Sequence, residues 1–308
     1  MTVMMKQLQT TTFDAAFERY DAILDRLPPV VVQQTPKQAT CLEEVVDHYD
    51  GFLLDSFGVL NVGNSAIEGA AGVLDDLRQR HIPFRVLTNA ASYTSSEAFH
   101  KYQHLGLDIR RDEIVSSRDT LFENLSEYSQ ISQWAAIATP QDEFQDTQQD
   151  VSNLFEVSGS WDDVPAFLFL TAENWTQPHQ DRLIESLLRN PRPVIVGNPD
   201  LVAPRENGLT IEPGFWAHDL WDKTQADVVF FGKPYHHAFD IALNAWGAGH
   251  YAMVGDTLHT DILGGQAVGL DTICLTQHGL FRNKPIAPFI ARSGIMPTWI
   301  MPALAKLQ

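Results

Sequence analysis

A doubly wound parallel α/β core, with a second α/β unit inserted into it, is the fold class that the 308-residue chain predicts. Two observations carry this. Short apolar runs such as Gly51-Phe52-Leu53-Leu54, Phe84-Arg85-Val86-Leu87 and Tyr251-Ala252-Met253-Val254 alternate with helical patterns, which is how parallel sheets are written. The alternation is regular in residues 46–129 and 223–308 and loosens between them, after the polar stretch Gln141 to Gln149. A chain of this length suits two domains, or one with a large insertion.

Residues 1–45 read as a helical extension. Phe13, Phe17, Tyr20, Ile23 and Leu24 recur at helical spacing and Pro28-Pro29 stops the pattern. The run Gly51 to Leu54 is a buried strand that ends at Asp55 and a Gly-containing turn. A helix over Glu68 to Arg80 follows, then a strand ending at Thr88-Asn89. Ser95 is placed to cap a helix that ends at Gly106, and a short strand over Ile114 to Ser117 leads into a helix from Asp119 to Tyr128. The inserted unit, expected over 130–222, contains strands at Ala166 to Leu170 and Pro193 to Gly197, a helix from His179 to Leu188, and a strand near an edge at Leu209 to Glu212. Regular alternation resumes with Asp227 to Phe231, Gly232-Lys233-Pro234 and a helix from Ala238 to Trp246. It closes with Tyr251 to Val254, a Gly255-Asp256-Thr257-Leu258-His259-Thr260-Asp261 segment, and a strand at Thr272 to Leu275.

Thirty-nine acidic residues against 21 basic ones give a formal charge of -18. Such a surface repels phosphodiester backbones, so nucleic acid is not an expected partner. Any anionic ligand must be met by locally placed cations, a metal or backbone N–H groups. Cys41 and Cys274 are far apart and form no metal or redox motif. No 18-residue apolar run and no apolar leader segment occurs, so a soluble, cytoplasmic protein with no membrane partner is expected.

Four strand ends carry polar groups: Asp55, Thr88-Asn89, Lys233, and Asp256 with Asp261. In open α/β sheets ligands bind beyond the carboxyl ends of the strands. If these strands are parallel neighbours, the four converge on one rim. Two carboxylates there suit a hard cation such as Mg²⁺; a hydroxyl, a backbone N–H and a lysine suit a phosphate. Plainer roles stay open at this point: a turn and cap at Thr88-Asn89, a solvated loop lysine at Lys233, and helix-capping carboxylates at Asp256 and Asp261.

Taken together, Leu53-Leu54-Asp55-Ser56-Phe57-Gly58-Val59-Leu60, Leu87-Thr88-Asn89, Gly232-Lys233-Pro234, Gly255-Asp256-Thr257-Leu258-His259-Thr260-Asp261 and the inserted Gly197-Asn198-Pro199-Asp200 resemble the haloacid dehalogenase superfamily. Within it they are similar to NagD-like hydrolases with a C2-type α/β cap, over roughly residues 46–280. The resemblance implies a phosphatase in which Asp55 is the nucleophile and forms an aspartyl-phosphate. It implies Mg²⁺ held by Asp55, the Phe57 carbonyl and Asp256, and a phosphoryl group bound by Thr88, the Asn89 N–H and Lys233, with Asn198 on the substrate side and Asp261 in support. The partner it implies is a small phosphorylated metabolite, and it raises a cap-to-cap homodimer.

One departure matters. Phosphatases of this kind normally carry a second aspartate two residues after the nucleophile, where it protonates the leaving group; here that residue is Phe57, which cannot transfer a proton. General acid–base catalysis is worth about 10²–10⁴ in rate. Weakened ester hydrolysis is therefore expected. A substitute acid among His218, His236, His237 and His259, a phosphate-ligand or partner-binding role without catalysis, and a metal-free dehalogenase-like chemistry remain alternatives. Trp161, Trp175, Phe215, Trp216 and Trp221 could stack on a substrate ring or fill the cap's core.

Overall fold

The structure, a computed structural model, describes residues 9–31, 35–205 and 208–307. Its larger sheet has seven strands, all parallel, in the order Lys37–Gln38, Trp299–Met301, Asp271–Leu275, Tyr251–Gly255, Gly51–Leu54, Phe84–Thr88 and Ile114–Ser116. Gly51–Leu54 thus lies inside the sheet, between the strands that lead to Asn89 and Asp256. Its apolar run has no polar face because both faces are covered. Phe52 and Leu54 pack with Ala70, Leu74 and Leu77 of helix Ala70–Gln79 and with Ala98 and Tyr102 of helix Ser95–His104. Leu53 points the other way, into a cluster with Ala238, Phe239 and Ala242 of helix His236–Leu243.

The second sheet is also fully parallel, in the order Val228–Phe230, Val194–Val196, Phe167–Phe169, Trp134–Ile137 and Val151–Asn153. Here the structure corrects an expectation. Val228–Phe230, which the sequence assigns to the core with residues 223–308, is an edge strand of this second sheet, paired with Val194–Val196. Pattern alone cannot tell which of two parallel sheets an apolar strand joins. Leu209 to Glu212 also differs: strand Gly208–Ile211 is the middle of a three-stranded antiparallel sheet, flanked by Val202–Arg205 and by Thr10–Thr11 of the extension. The cap of helix Ser95–His104 is Thr94, in a reciprocal box with Glu97, while the Ser95 hydroxyl and Asp119 hydrogen-bond. The helix expected from Asp119 to Tyr128 is an α-helix over Ser117–Asn124 that tightens into a 3₁₀ turn at Leu125–Tyr128.

The extension forms helix Phe13–Ala22, capped by Thr12. It is wedged between the two units rather than laid on one. Phe17 packs with Leu258, Ile262 and Phe281 of the core, while Ala16, Tyr20 and Ile23 pack with Leu201 and Val202. Arg19 and Arg26 both pair with Asp222 of helix Pro213–Lys223. The polar Gln141 to Gln149 stretch is a loop held by one buried cation. The Arg118 guanidinium donates to Asp142 at 2.5 Å, Asp146 at 2.5 Å and the Ala91 carbonyl at 3.2 Å. Cys41 and Cys274 are buried free thiols. Among the described residues no helix is long and apolar enough to cross a membrane.

Candidate active site

Asp55 and Asp256 follow neighbouring strands directly, and Asn89 follows the next one. Asp261 lies on the helical turn Leu258–Ile262 and folds back, accepting from the backbone N–H groups of Asp256 at 3.2 Å and Thr257 at 3.0 Å. Lys233 arrives from the other sheet. Gly232, at φ +115°, makes that entry possible: a Cβ there would lie 2.6 Å from Asn89 Oδ1 and 2.9 Å from Pro199 Cδ. The Asn89 side chain then clasps the incoming main chain, accepting from Lys233 N at 2.7 Å and donating to Lys233 O at 2.9 Å. Gly58, at φ +79°, does the same for the loop after strand Gly51–Leu54, where a Cβ would meet Asp256 Oδ2 at 2.6 Å.

The result is a line of buried charges. Lys233 Nζ donates to Asp55 Oδ1 and to Asp261 Oδ1, each at 2.6 Å. Carboxylate oxygens of Asp55, Asp256 and Asp261 lie within 4.8 Å of one another. Asp256 is oriented by Thr257 Oγ1 at 3.0 Å and by the Leu280 N–H at 2.6 Å. One ammonium faces three acids, and the imbalance shows in Asp55 and Asp256. Burial pushes the Asp55 carboxyl up to about 7, with Lys233 pulling it down and Asp261 pushing it up. Burial, then the charges of Asp261 and Asp55, push Asp256 well above the usual carboxylate range. For Lys233, burial acts downward, but Asp261 and Asp55 outweigh it and raise the amine. A cluster of hard oxygen donors short of positive charge fits a divalent cation.

A cleft of about 630 Å³ opens on this line. Asp55, Phe57, Thr88, Asn89, Asn198 and Asp256 all line it. Thr88 Oγ1 accepts from the Ala90 N–H at 3.3 Å, and Asn198 is used locally, accepting from Asp200 N at 3.0 Å and donating to Glu212 at 3.3 Å. The four histidines do not line the cleft. His218 stacks on Phe230 and His259 on Tyr20, and burial pushes each down to about 3. His236 is exposed beside Asp240, and His237 stands edge-on to Phe231. Trp161, Trp175 and Trp216 are buried in the second unit's core, Phe215 packs against that core, and Trp221 is exposed; none lines the cleft.

Sequence reasoning missed Lys101, Arg205, Tyr93, Asp200 and Glu212, which line the cleft too. Lys101 Nζ sits 4.3 Å from the centroid of the Phe57 ring, and Arg205 Cζ 5.0 Å from it. Burial, and then Arg205, push the Lys101 amine down to about 8. Burial pushes the Asp200 carboxyl up to about 7 although Lys233 and an Asn89 hydrogen bond at 2.8 Å oppose it. Lys101 had a legible signal. It lies three residues after buried Ala98, at the flank of the first helix beyond Thr88-Asn89. Arg205 had none, because a strand pairing brings it in.

Fold and site define a class: a doubly wound parallel core that gathers carboxylates and a lysine at its strand ends, under an inserted α/β unit. Two family descriptions match the chain, haloacid dehalogenase-like hydrolase over residues 52–150 and HAD-hydrolase-like over residues 230–307. The chain belongs to the haloacid dehalogenase-like hydrolases. It is 28% identical over 233 residues to an acid sugar phosphatase of Staphylococcus haemolyticus, covering 73% of this chain and 84% of that protein. It is 26% identical over 261 residues to a dihydroxyacetone phosphatase of Corynebacterium glutamicum, covering 83% and 90%. Among solved structures, one described as a possible sugar phosphatase from Cytophaga hutchinsonii superposes with a TM-score of 0.76 at 25% identity, covering 89% of this chain and 99% of that one.

Proposed function

We propose that the protein is a phosphatase acting on a small phosphorylated metabolite of the sugar phosphate kind, through an aspartyl-phosphate on Asp55. The observation that supports it most is the buried Asp55–Lys233–Asp261 line beside Asp256, which meets the cleft at Asp55 and Asp256. The sugar phosphatase and dihydroxyacetone phosphatase relatives support the substrate class.

In this reading an Asp55 carboxylate oxygen attacks phosphorus while the bond to the leaving oxygen breaks, and that oxygen keeps the electron pair. Water then attacks the same phosphorus, which frees inorganic phosphate and restores Asp55. Lys233 holds Asp55 in place at 2.6 Å and offers its charge to the phosphoryl oxygens. Thr88 Oγ1 and the Asn89 N–H complete the cradle, with Asn198 facing the leaving group. Asp261 orients Lys233 from the other side. Asp55, Asp256 and the Phe57 carbonyl would hold Mg²⁺, whose charge would neutralise the acids and the phosphoryl oxygens.

Phe57 supplies no proton, so esters with poor leaving groups turn over slowly. The test is Mg²⁺-dependent release of p-nitrophenol from its phosphate, compared with Asp55→Asn. Turnover that needs the metal and vanishes in the variant supports the reading. Phe57 also favours a second reading, a protein that binds a phosphorylated ligand without hydrolysing it. That one is supported by a phosphate-induced rise in melting temperature without turnover at high enzyme concentration. Metal-free dehalogenation is disfavoured by the three-carboxylate cluster, whose excess charge calls for a cation.

A further inference from the structure

Lys101 and Arg205 have a placement that the phosphoryl site does not explain. The chain has a formal charge of -18, yet two cations line the cleft that Asp55 and Asp256 also line. They come from different units: Lys101 from helix Ser95–His104 of the core, Arg205 from strand Val202–Arg205. Both approach the ring of Phe57, two residues from Asp55, at 4.3 and 5.0 Å from its centroid. Two like charges brought this near repel one another, and burial adds to the cost. Arg205 is partly compensated by Glu212 at 3.3 Å. Lys101 has no carboxylate partner among the described residues; rings are its neighbours, with Tyr93 at 5.6 Å and Tyr102 at 5.9 Å besides Phe57. Tyr93 also lines this cleft, and its hydroxyl is buried with no hydrogen-bond partner. Two cations and an idle hydroxyl donor, gathered in one cleft, form the complement of an anion.

We propose that Lys101, Arg205 and Tyr93 form a second anion site, which takes a carboxylate or a further phosphate carried by the leaving group. The substrate is then a phosphorylated acid or a bisphosphate rather than a neutral sugar phosphate. This rests on the phosphatase reading of the cleft and narrows its substrate. Phe57 provides the apolar platform between the two cations, and its ring keeps them poised by cation–π attraction while the site is unfilled.

The test is a binding measurement that does not require turnover. Asp55→Asn protein with Mg²⁺ is titrated calorimetrically with 3-phosphoglycerate against glycerol 3-phosphate, and with fructose 1,6-bisphosphate against fructose 6-phosphate. At least one member that carries the second anionic group binds about tenfold or more tightly than the partner that lacks it, as charge-assisted contacts in a partly buried site give. The first pair reports a carboxylate and the second a phosphate. Adding Lys101→Met, or separately Tyr93→Phe, collapses the preferred ratio, Lys101→Met to below threefold. Equal affinities within both pairs overturn the site, and so does a preference that survives Lys101→Met. Absence of binding by all four overturns the phosphatase reading with it, whereas failure of that reading alone shows as tight binding without turnover in the wild-type protein.

Discussion

Replacing Phe57 with aspartate puts a proton-carrying group two residues after Asp55, the proposed nucleophile, beside the cleft and against Lys101. A positioned general acid is worth about 10²–10⁴ in rate, or about 3–5 kcal/mol of barrier. The local charges decide where in that range the gain falls. Lys101 Nζ lies 4.3 Å from the present ring centroid and Arg205 Cζ 5.0 Å from it. A carboxylate at about 4 Å from a cation gains about 4 kcal/mol near a protein surface, which holds it ionised and makes it a weaker proton donor. The gain therefore falls near the low end, about 10²-fold. It is confined to substrates whose leaving group needs a proton. The assay is inorganic phosphate release from glycerol 3-phosphate with Mg²⁺, run beside p-nitrophenyl phosphate, whose phenolate leaves unaided. A gain of about 10²-fold on the alkyl ester, with a much smaller one on the aryl ester, is expected for Phe57→Asp. An alkyl rate within threefold of wild type would refute the idea that the missing acid is what limits this site. The same change pairs Lys101 internally, so it also weakens discrimination between 3-phosphoglycerate and glycerol 3-phosphate.

Three further outcomes follow from the geometry. In metal-free protein Asp256→Asn removes one of three crowded carboxylates, so calorimetry shows a melting temperature higher by at least about 2 °C, the scale of about 1 kcal/mol, and the stabilisation by Mg²⁺ is lost. Arg118→Met leaves Asp142 and Asp146 without their shared cation and costs about 3–5 kcal/mol, the range for breaking a buried pair; a denaturant midpoint unchanged from wild type would show that loop anchoring is unimportant. His259 is neutral in the fold with its pKa pushed down to about 3, while the unfolded chain takes up its proton near 6.5. Below pH 6.5 the unfolded state therefore binds more protons, and stability is lost as pH falls from about 6.5 towards 3, by about 2 kcal/mol at pH 5. His259→Phe should flatten that part of the pH–stability curve, and an identical slope in the variant would rule the residue out as its source.

The core was legible because its signals are local. Gly51–Leu54 is apolar on both faces, and a strand with that pattern must lie inside a covered parallel sheet, with Asp55 thereby at its rim. Helix Phe13–Ala22 was legible from its spacing, but its position between the units was not, since the partners Leu201, Val202 and Asp222 are close to 200 residues away. Val228–Phe230 was misassigned because neither its length nor its composition encodes the identity of its partner strand. Lys233 nonetheless reached the expected place. Gly232 and the Asn89 side chain steer it there, and that close approach is written in tertiary packing rather than in periodicity. The residues around Phe57 were hidden for the same reason. Arg205 reaches the ring through the antiparallel pairing of Val202–Arg205 with Gly208–Ile211, which no short-range pattern announces.

The central claim is that Asp55 carries the phosphoryl group. Because Phe57 cannot activate the water of the second step, the acyl phosphate should persist long enough to trap. Wild-type protein mixed with Mg²⁺ and p-nitrophenyl phosphate, quenched with borohydride and read by peptide mass spectrometry, should show residue 55 reduced to homoserine. Persistent turnover with an unmodified Asp55, or the modification at any other carboxylate, would contradict the account.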